Sequence, residues 1–287
     1  MSIAYLNGDY LPLAEARISP LDRGFLFGDG IYEVIPYYSG KSVGLMPHII
    51  RMINGLAAIE IKCTKTAEEW KTLLDDLIAK NSEMGENLGV YVHVSRGTDV
   101  KRYHAYPENV EPTIFCFAFG IKDPEPVDRT KATQYSMIST EDLRWQRCHI
   151  KSTALLGNVI HFQEGYSSGH DEALLFNAKG ELTEGSSCNA FIVKDGVVIT
   201  PTQDNQILPG ITRRIIIDSL KADGSLKVEE RIVTMDEVRD ADELWITSSS
   251  KEIAPVTKLD GKPVGNGEIG EVWQAAFKIY TASKFDF

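Results

Sequence analysis

Lys151 is the first residue whose type and setting point to covalent chemistry. It stands in Arg147-Cys148-His149-Ile150-Lys151-Ser152-Thr153, where a strand-like segment gives way to an apolar helix around Leu155, Leu156, Val159 and Ile160. A lysine at the lip of an apolar element is partly desolvated, which disfavours the ammonium form and frees the amine as a nucleophile. A Schiff-base lysine requires that state. A second segment, Leu182-Thr183-Glu184-Gly185-Ser186-Ser187-Cys188-Asn189, sets one carboxylate beside small polar residues just before a strand. A third, Ile207-Leu208-Pro209-Gly210-Ile211-Thr212-Arg213-Arg214, leads into the apolar helix 215–220, with Thr212 as its N-cap and free N–H groups suited to an anion. A fourth, Trp245-Ile246-Thr247-Ser248-Ser249-Ser250-Lys251-Glu252, is a strand ending in hydroxyls. Taken singly, each has a plain structural reading: a lysine that snorkels to water, a hairpin turn, a capped helix, a turn.

The elements that must position these residues follow from pattern. Asn7-Gly8 between Tyr5-Leu6 and Asp9-Tyr10 predicts a hairpin tip. Gly28-Asp29-Gly30 is a glycine-rich turn running into an alternating strand through Ile35, and the apolar spacing from Pro47 to Ile61 predicts a helix. Thr66 and Glu69 form a capping-box pattern opening a helix to Met84, with Trp70, Leu73, Leu74, Leu77 and Ile78 as its stripe. Strands 88–95 and 113–120 complete an α+β unit. The charged, proline-containing stretch 121–128 reads as a linker. The division is therefore 1–120 as a small N-terminal α+β domain, 121–128 as linker and 129–287 as a larger C-terminal domain. Strands are expected at 172–177, 190–194, 197–200, 227–232 and 243–248, and helices at 153–165, 212–222 and 269–282. Short strands mixed with a few helices suggest a second α+β domain round a barrel-like or irregular sheet.

Composition narrows the function classes. Of 287 residues, 43% are hydrophobic and 25% charged, enough apolar side chain for a real core. Thirty basic against forty-one acidic residues leave −11, which argues against nucleic acid as the main partner. The sequence shows no apolar run of membrane-spanning length and no signal-peptide pattern, so a cytoplasmic location is expected. Cys63, Cys116, Cys148 and Cys188 are widely spaced and read as reduced thiols. The six histidines show no zinc-ligand spacing. Gly28-x-Gly30 lacks the third glycine of a dinucleotide fingerprint and precedes a strand, and no Gly-Lys-Ser/Thr phosphate loop is present.

In this order the segments resemble one family: the branched-chain and D-amino-acid aminotransferases, the fold-type IV enzymes that use pyridoxal 5′-phosphate. The resemblance runs from Leu6-Asn7-Gly8 to the last helix. It is carried by Asp22-Arg23-Gly24-Phe25-Leu26-Phe27-Gly28-Asp29-Gly30-Ile31-Tyr32-Glu33, by His48-Ile49-Ile50-Arg51-Met52, by the stretch from Asp142 to Ser152, and by the three later segments. It implies a two-domain α+β fold, with a small N-terminal α/β sandwich and a larger C-terminal pseudo-barrel domain that anchors the cofactor. By the same likeness Lys151 would carry the cofactor as a Schiff base and then serve as acid and base, while Glu184 would face the pyridine nitrogen. Arg51 would bind the phosphate, helped by N–H groups near Ile211 and Thr212 and by the Ser249 hydroxyl. Leu208 would pack on the ring, with Ser187 and Ser248 near the ring and its phosphate side. Tyr32 would stand beside Lys151 and the substrate.

Substrate preference turns on another loop. Arg102 and His104 match the Arg-x-His pair with which the D-amino-acid subgroup holds the substrate α-carboxylate. A guanidinium grips a carboxylate in two parallel hydrogen bonds, and alternation along an extended loop puts both residues on one side. On charge alone the same loop reads as a solvated basic segment. The resemblance implies transamination between a D-amino acid (D-alanine or D-glutamate) and a 2-oxo acid (2-oxoglutarate or pyruvate), in a homodimer. The alternatives are a branched-chain L-amino-acid aminotransferase, an (R)-amine transaminase, an aminodeoxychorismate lyase, or a non-enzymatic binder on the same scaffold. Cys188, Lys101, and Tyr37 with Tyr38 depart from the subgroup pattern and bear on the preferred side chain.

Overall fold

A computed structural model of the chain describes residues 2–287. The described residues divide into two compact units, one of residues 2–123, 150–155 and 287, the other of 124–149 and 156–286.

The first unit is a six-stranded antiparallel sheet with two helices in its core. In chain order its elements are β1 (Ile3–Leu6), β2 (Asp9–Pro12), α1 (Arg23–Phe27), β3 (Gly30–Tyr38), β4 (Lys41–Ser42), α2 (Leu45–Ala58), α3 (Ala67–Lys80), β5 (Asn87–Ser95) and β6 (Thr113–Gly120). The strand order is β2-β1-β6-β5-β3-β4. Asn7 and Gly8 take positive φ at the expected hairpin tip. Thr66 caps α3 in a full capping box with Glu69. That helix ends at Lys80, short of Met84, because the Asn81 side chain donates to Leu77 O and Ile3 O and accepts from Ile3 N. Strand alternation sorts the sheet into two faces. One face carries Ile31, Ile35, Val90, Val92 and Val94 and joins Ile49, Met52, Leu56, Trp70, Leu74 and Leu77 in one apolar core. Tyr32, Val34, Tyr91, His93, Phe115 and Phe117 alternate with these core residues and stay half-buried.

Segment 150–155 departs from a linear domain division. Ile150 is buried in the first unit's core. Tyr32 N donates to Lys151 O at 3.1 Å, Thr153 N donates to Gly30 O at 2.9 Å, and Ser152 bridges to Ile31. The expected 129–287 domain therefore gives up this stretch, which adds a short rung beside β3.

The second unit contains β7 (Tyr135–Glu141), α4 (Leu156–Ser167), β8 (Glu172–Phe176), β9 (Leu182–Gly185), β10 (Asn189–Lys194), β11 (Val197–Thr200), α5 (Ile211–Asp223), β12 (Val228–Glu230), α6 (Met235–Arg239), β13 (Glu243–Ser248), β14 (Glu252–Leu259), β15 (Lys262–Pro263) and α7 (Glu271–Ser283). Its nine-stranded mixed sheet runs β12-β11-β10-β13-β14-β7-β8-β9, with β15 paired to β14. Strands β7, β9 and β14 have no counterpart among the sequence-based elements. Pro255 makes β14 read as a break, yet its ladder with β7 begins only at Val256, so the proline's missing N–H is not needed there. Helix α4 also differs. Its apolar residues Leu156, Val159 and Ile160 are exposed, and the buried residues of this helix are His161 and Gly165. Among the described residues no helix is long and apolar enough to cross a membrane. All four cysteines are free.

Candidate active site

In the first unit the chemistry gathers round β3. The Lys151 backbone is fixed by the rung to Tyr32, and its Nζ lies 4.1 Å from the Tyr32 ring centre. Gly28 makes this possible. It has a φ of +66°, and a side chain there would meet Ala154 Cα at 2.9 Å, so it serves close backbone approach of the lysine segment. A side chain on Gly30 would meet Val94 O of β5 at 2.8 Å and Thr153 Oγ1 at 3.2 Å. The Thr153 hydroxyl adds a bond to Gly28 O at 2.9 Å.

On the opposite face of β3, Glu33 points into the aliphatic core and is fully buried. Arg51 meets it in a bidentate pair, Nε to Oε1 at 2.8 Å and Nη2 to Oε2 at 2.6 Å. His48 Nδ1 lies 2.7 Å from Oε2. Burial pushes the Glu33 carboxyl up, but the Arg51 charge and His48 outweigh burial and leave it at about 2. Burial lowers His48 against the pull of Glu33. At neutral pH its ring is therefore uncharged and donates Nδ1–H, so the guanidinium carries the countercharge. Arg51 is held as a fixed cation, which suits it to a phosphate.

Arg102 and His104 lie in the connection between β5 and β6, and both side chains are exposed. Both pack on the Phe27 ring. The Arg102 guanidinium carbon is 5.1 Å from its centre, and the ring centres of His104 and Phe27 are 5.3 Å apart.

In the second unit Glu184, buried on β9, is gripped from three sides. Arg144 Nη1 donates to Oε1 at 2.7 Å; Asn189 Nδ2 and Leu208 N donate to Oε2 at 2.9 and 3.0 Å. Asp142 holds the far side of the Arg144 fork through Nε at 3.0 Å and Nη2 at 2.7 Å. Burial pushes the Glu184 carboxyl up to about 7, against the pull of Arg144. Asn189 also donates to Leu208 O at 2.9 Å, and its Oδ1 abuts Gly210 so closely that no side chain fits there. Glu184, Leu208 and the start of α5 are thereby tied together. The N-cap of α5 is Gly210, not Thr212, which lies inside the first turn and is buried with Ile211. Glycine has no side-chain acceptor, so the first-turn N–H groups stay suited to an anion. Ser248 closes β13 beside the Asn189–Thr247 pairing, and its Oγ accepts from Lys251 N at 3.2 Å across the turn that holds Ser249. Ser187 donates to Glu172 Oε2 at 2.6 Å, and Ser186 donates to Glu172 Oε1.

The first unit brings Lys151 beside Tyr32 and sets Arg51 on the opposite face of β3; the second brings Glu184 together with Leu208 and the start of α5, while Ser187 turns to Glu172. Glu33, His48, Arg144, Asp142, Asn189 and Glu172 carry no role in the sequence-based reading. For Glu33 a signal existed, because a carboxylate in phase with Ile31 and Ile35 must face the core. Taken unit by unit, the residue types suit a phosphorylated pyridine aldehyde: the first unit offers an amine and a guanidinium, and the second offers helix-start amides, hydroxyls and a buried carboxylate.

The amino-transferase class IV family model matches residues 30–259. The chain belongs to the class IV aminotransferases. It is an aminotransferase, and its cofactor is pyridoxal 5′-phosphate. Similar to this class IV chain is the D-alanine aminotransferase of Staphylococcus aureus (strain MW2), 36% identical over 99% of both chains. So is that of Listeria monocytogenes serotype 1/2a (strain 10403S), 36% identical over 93% of this chain and 91% of the relative. Among solved structures, the Escherichia coli branched-chain amino acid aminotransferase has a TM-score of 0.89 at 23% identity, covering 98% of this chain and 93% of that one. The branched-chain aminotransferase of the thermophilic archaeon Thermoproteus uzoniensis, solved with norvaline, has a TM-score of 0.87 at 23% identity, covering 100% and 96%. These likenesses give the class IV chain the fold-type IV architecture, a two-domain α+β fold.

Proposed function

We propose that the enzyme moves an amino group between a D-amino acid, such as D-alanine or D-glutamate, and a 2-oxo acid, such as pyruvate or 2-oxoglutarate. The observation that carries this reading is the 36% identity with a D-alanine aminotransferase over 99% of both chains. The Arg102–His104 pair on Phe27 supports it, because a guanidinium and an imidazole on one side of a loop suit a carboxylate.

The cofactor supplies the electron sink for the α-carbanion of the substrate. Lys151 Nζ anchors the cofactor and carries the proton to and from the substrate α-carbon, with the Tyr32 ring against the amine. Glu184 holds the proton of the pyridine nitrogen, and Arg144, Asn189 and the Leu208 amide fix its two oxygens. Arg51, aimed by Glu33 and His48, would bind phosphate, as would the Ile211 and Thr212 amides and the Ser249 hydroxyl. Leu208 would pack on the ring, with Ser187 and Ser248 toward the ring and its phosphate side. Arg102 and His104 hold the α-carboxylate.

The active form is a homodimer in the cytoplasm. The exposed apolar residues Leu143, Trp145, Leu156, Val159, Ile160 and Tyr166 of the second unit support a second copy. A panel of D- and L-amino acids, read by cofactor absorbance, tests the substrate reading. D-alanine should bleach the absorbance and L-leucine should leave it. The reverse result would assign the enzyme to the branched-chain L-amino acids. Lys151→Ala should lose nearly all turnover and the borohydride-fixed label.

A further inference from the structure

The connection 96–112 that carries Arg102 and His104 has little regular structure of its own, and a long irregular loop needs anchors to hold side chains in register. Its base is tied down. Arg23 N donates to Gly97 O at 2.8 Å, and Thr98 bridges to Asp22. Arg96 pairs with Asp29 through Nε at 2.8 Å and Nη2 at 3.0 Å, donates to Ile59 O and Glu60 O, and lies 3.5 Å from the Tyr106 ring centre. At the tip, Arg23 holds the backbone. Arg23 is buried, and its fork is divided three ways: Nε to Asp29 Oδ2 at 2.8 Å, Nη1 to Tyr103 O at 2.6 Å, and Nη2 to His104 O at 3.2 Å. Its guanidinium carbon also lies 4.8 Å from the centre of the Phe27 ring on which Arg102 and His104 pack.

We propose that Arg23, with Phe27, is a positioning residue for the substrate carboxylate: it fixes the carbonyls of residues 103 and 104 and so sets where Arg102 and His104 present their donors. This rests on the reading of Arg102 and His104 as the carboxylate grip. The geometry favours a positioning role over simple packing. Asp29 already has a bidentate partner in Arg96, so the Arg23 fork is not needed to neutralise it. The two remaining arms of that fork end on the loop's carbonyls. Misplacement of a substrate-holding group by about 1 Å is enough to cost up to a hundredfold in kcat/KM, and where that group grips ground state and transition state alike the loss falls on KM and not on kcat.

Arg23→Lys keeps a positive charge beside Asp29 but cannot reach both carbonyls. In the holoenzyme, Arg23→Lys should raise KM for D-alanine and for pyruvate in parallel, by about tenfold or more. It should leave kcat within about threefold and cofactor absorbance unchanged. Arg102→Ala, assayed alongside, should raise the same two KM values, and Arg23→Lys should add less in the Arg102→Ala background than in the wild type, because only His104 is left to misplace. If Arg102→Ala leaves KM alone, the carboxylate reading itself fails. If Arg102→Ala raises KM but Arg23→Lys does not, or if the two effects multiply, the positioning role is overturned while that reading stands. Should Arg23→Lys fail to fold, Phe27→Leu keeps the Asp29 pairs and removes the ring beneath both side chains, and the same KM criteria apply to it.

Discussion

Glu33 shows how a carboxylate survives in an aliphatic row. It lies opposite Val92 in the β3–β5 ladder, where an unpaired charge is strongly disfavoured. His48 and Arg51, three residues apart on one face of α2, answer it. The carboxyl sits at about 2 in the folded chain against 4.5 for the free group. Between these values the unfolded chain binds the proton more readily. The stabilisation is therefore full above about pH 4.5 and is lost as pH falls toward 2. At about 1.4 kcal/mol per pH unit it amounts to roughly 3 kcal/mol. Glu33→Gln should lower stability near neutral pH by about 3 kcal/mol, by leaving the guanidinium buried without its anion. It should also shrink the difference between urea midpoints at pH 3 and pH 6.5; an undiminished difference would assign the acid sensitivity to other carboxylates. Glu184 is the contrasting case, pushed up by burial and held by neutral donors as well as by Arg144. Glu184→Gln removes the acid that keeps the pyridine nitrogen protonated, so single-turnover transamination should fall by about a hundredfold or more while the cofactor still binds.

At the scale of elements, α2, α3, β5 and β6 were legible because local signals and tertiary packing agree. The capping box, the three-and-four spacing and the alternation all point one way. Strand β14 was not legible, because Pro255 contradicts a strand locally and only the register with β7 shows that it does no harm. Lys151, Glu184 and Arg51 stand out through their surrounding motifs. Arg144 and Asn189 do not, because their importance lies in what they touch. The Gly-x-Gly turn was visible as a turn, but its reason, the approach of residues 151–154, comes from a distant part of the chain. Gly28→Ala should therefore suffer twice, from the positive φ and from the collision with Ala154. Gly180, with φ +73 and open space around it, suffers only the first. Gly180→Ala should cost about 1 kcal/mol. Gly28→Ala should cost more and should lower the fraction of enzyme labelled by borohydride at Lys151. Equal melting temperatures for the two variants would mean that the lysine segment does not depend on that close approach.

For the whole molecule, composition foretold a core of ordinary size, and the proline-rich stretch marked a change of unit. The return of 150–155 to the first unit was hidden, since nothing in a six-residue segment announces a distant partner. Helix α4 misleads for a related reason. Its apolar spacing suggests an inward face, whereas Leu156 is 73% and Tyr166 68% exposed. An apolar helix face in contact with water is costly to leave uncovered, at about 25 cal/mol per Å². Each copy also carries a charge of −11, so two copies repel over their whole surface. A dimer closed through α4 must draw on apolar burial against that repulsion, which gives it a distinctive salt dependence: added salt screens the repulsion and leaves the apolar contact intact, so association should tighten between low and moderate ionic strength. Ile160→Glu places a carboxylate in the contact and should shift the sedimentation profile from dimer toward monomer at micromolar concentration. The melting temperature of the isolated chain should barely change, because residue 160 is exposed within it. A variant that sediments as the unaltered dimer, or a wild-type dimer that salt pulls apart, would move the interface off α4 to a face held by charge.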